Sequence, residues 1–333
     1  MTLAPLSHWL HAFFHEWLGE QRNCSRHTIL SYRDTWRLYL RYVAARHGRS
    51  VSALALADLA AEEIPAFLSH VESERGDTIG TRNCRLAAIR SFFRFVADRE
   101  PLAAAHCAAV LRIPTKKAPH PAIDYLDTEE VTAILKQPDR ATLEGQRDYA
   151  LLAFLYNTGA RIQEALDLCP SNLRLDSPAH AKLYGKGRKE RICPLWAETA
   201  ELLSALRARQ PRPDGEPLFV NRYGRPLGAA GVRYKLAKYV RAAAEELPSL
   251  RQKRVSPHTF RHTAGVELVA AGVDIAVIRS LFGHVSLDTT MQYARANVET
   301  KRRAIELVDA SKRPTAPPRW KRNPDLLDWL DSL

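Results

Sequence analysis

Cysteine is scarce: five residues in 333, at positions 24, 84, 107, 169 and 193, an odd number with no Cys-x-x-Cys pair. That spacing gives no support to a zinc site or a dithiol redox centre and leaves reduced, packed thiols. Long apolar runs are missing too. No stretch approaches the roughly 20 apolar residues that cross a bilayer. Near the N-terminus His8, Trp9, His11, His15 and Glu16 interrupt the region where a secretory signal needs an unbroken apolar core. The expectation is a cytoplasmic protein without a membrane segment. Tandem repeats and long low-complexity tracts are also lacking, which argues against a solenoid and against a disordered polar chain.

What the chain does have is positive charge. Lys and Arg outnumber Asp and Glu by 49 to 37, a formal net charge of +12, and this favours a polyanionic partner such as nucleic acid. Its length accommodates two globular domains with separate cores, and its apolar content is ordinary for a folded protein.

The first hundred residues carry apolar side chains three and four apart, as in Ile29, Tyr32, Trp36, Tyr39, Leu40 and Val43. Four amphipathic helices follow from this spacing, over about 5–18, 25–46, 56–74 and 78–98, with turn signals at Gly19, Gly48 and Gly76. The stretch 111–122 holds three prolines and two lysines and reads as an extended basic linker. Asp127 with Glu130 is a capping-box pattern that starts a helix through Leu135, and a second helix runs from about Gln146 to Asn157 and stops at Gly159. Between Asn172 and Leu195 short alternating runs around the Gly185, Lys186, Gly187 turn predict a small antiparallel sheet. Helical spacing returns over 198–209, 231–246, 257–271, 275–282 and 289–308. The fold class is therefore mainly α with a small antiparallel sheet: a helical domain over 1–110, the linker, a second domain over 123–310, and a tail over 311–333. That tail closes with Leu326, Leu327, Trp329, Leu330 and Leu333, an apolar stripe that wants a groove in its own subunit or in a neighbour's.

Three separated stretches carry reactive groups: Asn157 to Leu166 with Arg161, Pro257 to Ala264 with His258 and Arg261, and Phe282 to Tyr293 with His284. With Lys186 they make a set suited to attack on a phosphodiester. The transition state of such an attack places extra charge on the non-bridging oxygens, and metal ions or arginines can stabilise it. No carboxylate cluster suitable for two magnesium ions competes, and an arginine fork matches two phosphate oxygens, so Arg161 and Arg261 suit the role. A tyrosine with an intrinsic pKa of about 10 needs a proton acceptor, and His258, on one helix face with Arg261, is a candidate. Lys186, on a glycine turn, is placed to protonate the leaving 5′ oxygen.

The pattern resembles the tyrosine recombinase, or phage integrase, family, nearest to its Xer-like and transposon-borne members, over roughly residues 5–310. Thr158 to Leu166 is similar to the family's first arginine motif and Gly185 to Arg191 to its lysine hairpin. His258 to His262 is similar to its His-x-x-Arg box, followed by Ala271 to Asp274, Phe282 to His284, and Tyr293 at the expected distance. The sequence departs from the pattern only at Ala160, where a larger apolar residue is usual, and at Phe282, where leucine is. The resemblance implies a core-binding helical domain followed by a catalytic domain. It also implies that Arg161 and Arg261 clamp the scissile phosphate, His284 donates to a non-bridging oxygen, and Tyr293 forms a 3′-phosphotyrosyl link. Double-stranded DNA as partner, a homo- or hetero-tetramer on it, and catalysis without metal, ATP or other cofactor follow from the same resemblance.

Two other functions share parts of this pattern. A non-cleaving helix-turn-helix regulator could use residues 271–293 but has no need of Arg161 or Lys186. A type IB topoisomerase shares the phosphotyrosyl chemistry without a partner site. His258 and His262 are spaced as zinc ligands, yet Thr259 stands where a zinc peptidase places glutamate, and His262 reads as a packed residue.

Overall fold

The computed structural model describes residues 4–118, 123–185, 189–283 and 287–296. The chain divides into two compact units, Met1–His120 and Pro121–Leu333.

In the first unit α1 (Leu6–Ala12) continues as π-helical turns over Phe13–Gln21, so Gly19 lies inside a helix and the reversal comes instead at Asn23, with φ 44°. Four α-helices follow: α2 (Arg26–His47), α3 (Glu63–Arg75), α4 (Ile79–Ala97) and α5 (Ala104–Leu111). Their ends are fixed locally. Ser25 and Thr78 side chains accept from the amides of Thr28 and Thr81, each at 3.2 Å, and Gly48 and Gly76 close α2 and α3 in left-handed conformation. The helix expected from Leu56 begins only at Glu63, after a 3₁₀ turn over Leu56–Asp58, and α5 was not foreseen. Phe13, Trp36, Tyr39, Phe67, Phe92 and Phe93 fill the core, with the Trp36 and Phe92 rings 4.5 Å apart. Each such side chain contributes about 1.5–3 kcal/mol by leaving water.

The second unit begins with α6 (Thr128–Leu135), α7 (Leu143–Thr158) and the single-turn α8 (Ile162–Leu166). Glu130 accepts from the Asp127 amide at 2.9 Å, completing the capping box at the start of α6. A three-stranded antiparallel sheet comes next, in the order β1 (Leu173–Arg174), β2 (His180–Tyr184), β3 (Glu190–Pro194), with Leu183 opposite Arg191 and Tyr184 opposite Glu190. Then α9 (Ala197–Arg209), α10 (Ala229–Glu246), α11 (Pro257–Ala270), α12 (Ile275–Phe282) and α13 (Leu287–Ala296) complete the described chain. Phe154, Leu155, Leu203, Phe219 and Phe260 anchor the main core. A smaller apolar cluster of Ala264, Val266, Val269, Ile278, Phe282 and Tyr293 joins α11, α12 and α13. Among the described residues no helix is long and apolar enough to cross a membrane, and no group of three or more His, Cys, Asp or Glu is placed to hold a metal ion.

Candidate active site

Arg161 is the N-cap of α8 and is held there by its own helix. Its backbone amide donates to Glu164 Oε2 at 2.8 Å and its Nη1 to Oε1 at 2.8 Å. The turn before it depends on Gly159, which has φ 56° and on which a Cβ would fall 2.5 Å from the Phe282 ring. Arg161 keeps 37 % of its side chain exposed, so it can reach a substrate.

Arg261 sits one helical turn inside α11 and is 1 % exposed. Its Nη1 donates to the Gly159 carbonyl at 2.5 Å and its Nη2 to the Phe282 carbonyl at 2.7 Å. Those carbonyls end α7 and α12, where unpaired acceptors and the negative end of each helix dipole favour a cation. The Phe282 ring centroid lies 4.6 Å from the same guanidinium. Burial, then the charge of Arg161, push the Arg261 pKa down to about 10, which still leaves it cationic at neutral pH.

Tyr293, on α13, has its ring buried edge-on to Phe282 and to His262, with centroids 5.8 Å away in each case. Burial raises its phenol above the ordinary tyrosine value, and Arg261 opposes that rise. The resting phenol is therefore protonated. His258 stands in the first turn of α11, with its ring 4.5 Å from that of His262. Desolvation, then Arg261 and Arg161, hold its pKa below the ordinary histidine value. The imidazole is thus neutral at pH 7 and free to take a proton.

Arg161, His258, Arg261 and Tyr293 are thus gathered into one electrostatically linked group. Lys186 and His284 lie outside the described residues. The flanks of the Lys186 turn are in place, with the Gly185 amide donating to the Lys189 carbonyl at 2.8 Å.

The chain matches the phage integrase family over residues 124–300 and the N-terminal SAM-like domain of phage integrases over residues 12–100. It is 39 % identical to the integrase/recombinase y4rC of Sinorhizobium fredii across 100 % of this chain and 98 % of that protein. It is 33 % identical to the tyrosine recombinase XerC of Rhodospirillum centenum across 85 % of this chain and 81 % of that one. The chain belongs to the phage integrase family of tyrosine recombinases.

Enzymes of this family cleave and rejoin DNA, and the recombinase described here is one of them. Its fold is that of the XerH site-specific recombinase bound to difH, with a TM-score of 0.65 at 21 % identity over 88 % of this chain and 83 % of that one. It is likewise that of the Tn1549 transposon integrase, with a TM-score of 0.63 at 18 % identity over 89 % and 98 %.

Three residues at the site were given no role on the strength of the sequence. Phe282, a departure from the family pattern, supports the Arg261 guanidinium and abuts Tyr293. Glu164 is buried and receives Arg161 together with Arg191, whose Nη2 donates to Oε2 at 2.7 Å. Burial pushes the Glu164 carboxyl up, but the hydrogen bonds and charges of Arg191 and Arg161 outweigh it and hold the group below the usual carboxylate range. Breaking a buried pair like Glu164 with Arg191 costs about 3–5 kcal/mol, because one charge is left uncompensated. The position of Glu164 three residues after Arg161, the N3 place of a capping box, was the available signal.

Proposed function

We propose that this recombinase cuts and rejoins double-stranded DNA at specific sites through a 3′-phosphotyrosyl intermediate on Tyr293. The phenol oxygen bonds to phosphorus as the bond from phosphorus to the 5′ oxygen breaks. His258 takes the phenol proton and Lys186 gives one to the departing oxygen. Arg161 and Arg261 hold the non-bridging oxygens, and His284 donates to one of them. Rejoining runs these steps backwards with the 5′ hydroxyl of another strand. Bond energy is conserved in the protein link, so the reaction needs no ATP, and the arginines take the place of a metal.

The observation that carries this reading is the buried Arg261, cationic and fixed by two helix-end carbonyls, in the field of Tyr293, Arg161 and a neutral His258. The XerH and Tn1549 integrase structures contain DNA, which supports a duplex partner for this chain. In this reading residues 1–110 form the core-binding domain, 111–122 the basic linker and 123–310 the catalytic domain. The active assembly is a tetramer around a four-way junction, in the cytoplasm, serving integration, resolution or transposition.

The test is to incubate the protein with a plasmid pool carrying fragments of its host genome, in excess chelator, and trap with denaturant. A DNA adduct that survives denaturation, and that Tyr293→Phe abolishes, is expected. An adduct that persists in Tyr293→Phe overturns the assignment. Relaxation of any supercoiled plasmid without strand exchange would point to a topoisomerase, and binding without an adduct to a regulator.

A further inference from the structure

We propose that Arg191 is a positioning residue for DNA cleavage: shared between Glu164 and the Leu281 carbonyl, it keeps Arg161 from being neutralised and ties the end of the lysine hairpin to the segment leading to His284. This rests on the assignment of Arg161 to the phosphate clamp.

The first part is electrostatic. Glu164 receives Arg161 on both its oxygens, and that pair alone carries no net charge. Arg191 shares the carboxylate at 2.7 Å, so among the described residues the guanidiniums of Arg161, Arg191 and Arg261 face a single carboxylate. A surplus of two positive charges remains, equal to the two negative charges of a phosphorane-like transition state. Arg191 itself is only 8 % exposed in its side chain, and its Nε and Nη2 are taken up by the Leu281 carbonyl and Glu164. Its effect on the reaction passes through Arg161.

The second part is geometric. Arg191 Nε donates to the Leu281 carbonyl at 2.8 Å, while its stem lies against Gly283, where a Cβ would fall 3.3 Å from Arg191 Cδ. Gly283 ends α12 with φ 61° and directly precedes His284 in the chain. Arg191 starts from β3, opposite Leu183, a few residues from Lys186. One side chain thus bonds the stretch that holds Arg161 and the stretch that leads to His284 while rooted in the hairpin that bears Lys186. The two acceptors lie in different directions, which suits the rigid fork of an arginine and not the single ammonium of a lysine.

The experiment uses the full-length protein and a nicked duplex carrying the site mapped by trapping, with the scissile group either a phosphodiester or a methylphosphonate. A methylphosphonate lacks one non-bridging charge and so depends less on a surplus of cations. Arg191→Ala should cleave the phosphodiester about 10- to 100-fold more slowly than wild type, the scale of losing an oriented charge at the transition state. The same variant should lose markedly less on the methylphosphonate, where little charge needs matching and only the geometric tie is missed. A purely structural defect would slow both substrates alike, and that result overturns the proposal. Where Arg191→Ala does not fold, Arg191→Gln, which keeps a donor for Glu164 and removes the charge, gives the same reading. Arg161→Lys run in parallel separates the two levels. If it cleaves at the wild-type rate, the clamp assignment fails; if it is slowed while the Arg191 variants are not, only the role of Arg191 fails.

Discussion

The Tyr293 ring lies on the backbone of Gly265: a Cβ at that glycine would fall 2.6 Å from Cε2 and 2.8 Å from Cζ. Helix α11, which brings His258 and Arg261, therefore also sets the depth of the Tyr293 ring. Gly265→Ala should push α13 outward, destabilise the catalytic unit by about 1–3 kcal/mol as other overpacked cores do, and slow adduct formation about 100-fold through misplacement of the phenol. Thermal melts and single-turnover cleavage measure the two effects. Wild-type cleavage in this variant would mean that Tyr293 attacks from somewhere else.

The two arginines of the proposed clamp should differ in what else they cost. Loss of either should slow cleavage about 10²- to 10³-fold, as for one transition-state donor. Arg261→Ala should in addition destabilise the fold by roughly 1–3 kcal/mol for each carbonyl left without its donor, whereas Arg161→Ala, partly exposed, should melt nearer to wild type. Equal melting temperatures for the two variants would contradict this division.

If His258 takes the phenol proton as proposed, it should give the reaction an acid limb. Burial and the two arginines hold its pKa below the ordinary value, so the proton-accepting form persists at neutral pH and is lost only on further acidification. Single-turnover cleavage should stay level down to about pH 6.5, the unperturbed histidine value, and fall beneath it. His258→Gln should be slow and lack that limb. A rate that drops between pH 8 and pH 7 would mean that another group titrates.

His262 should govern stability in the same range. Burial, then the charges of His258 and Arg261, lower its pKa from 6.5 to about 4 in the folded chain, with Asp124 opposing. Between those values the unfolded chain binds the extra proton, so stability falls as pH drops from 6.5 towards 4 and levels off below. Urea unfolding at pH 7 and pH 5 should show the loss in wild type and a smaller one in His262→Phe. An identical loss in both would assign it elsewhere.

Local signals made most helices readable, because caps such as Ser25, Thr78 and the Asp127 with Glu130 box announce themselves within four residues. Helices α5 and α8 escaped because eight and five residues are too short to display a period. Arg161, His258, Arg261 and Tyr293 could be picked out as candidates because each stands inside a contiguous motif, and the fold brings them together. The link from Glu164 through Arg191 to Leu281 was not. It joins three separated stretches, and one acceptor is a main-chain carbonyl that any residue would supply.

Arg261 meets its neighbours through carbonyl dipoles and not through a carboxylate. Among the described residues no carboxylate is hydrogen-bonded to this guanidinium, so in the proposed mechanism a scissile phosphate would not have to break a direct ion pair with it. The two carbonyls hold the fork in one orientation from the moment the chain folds, whereas its 1 % exposure means that neighbouring side chains must give way before an anion can meet it.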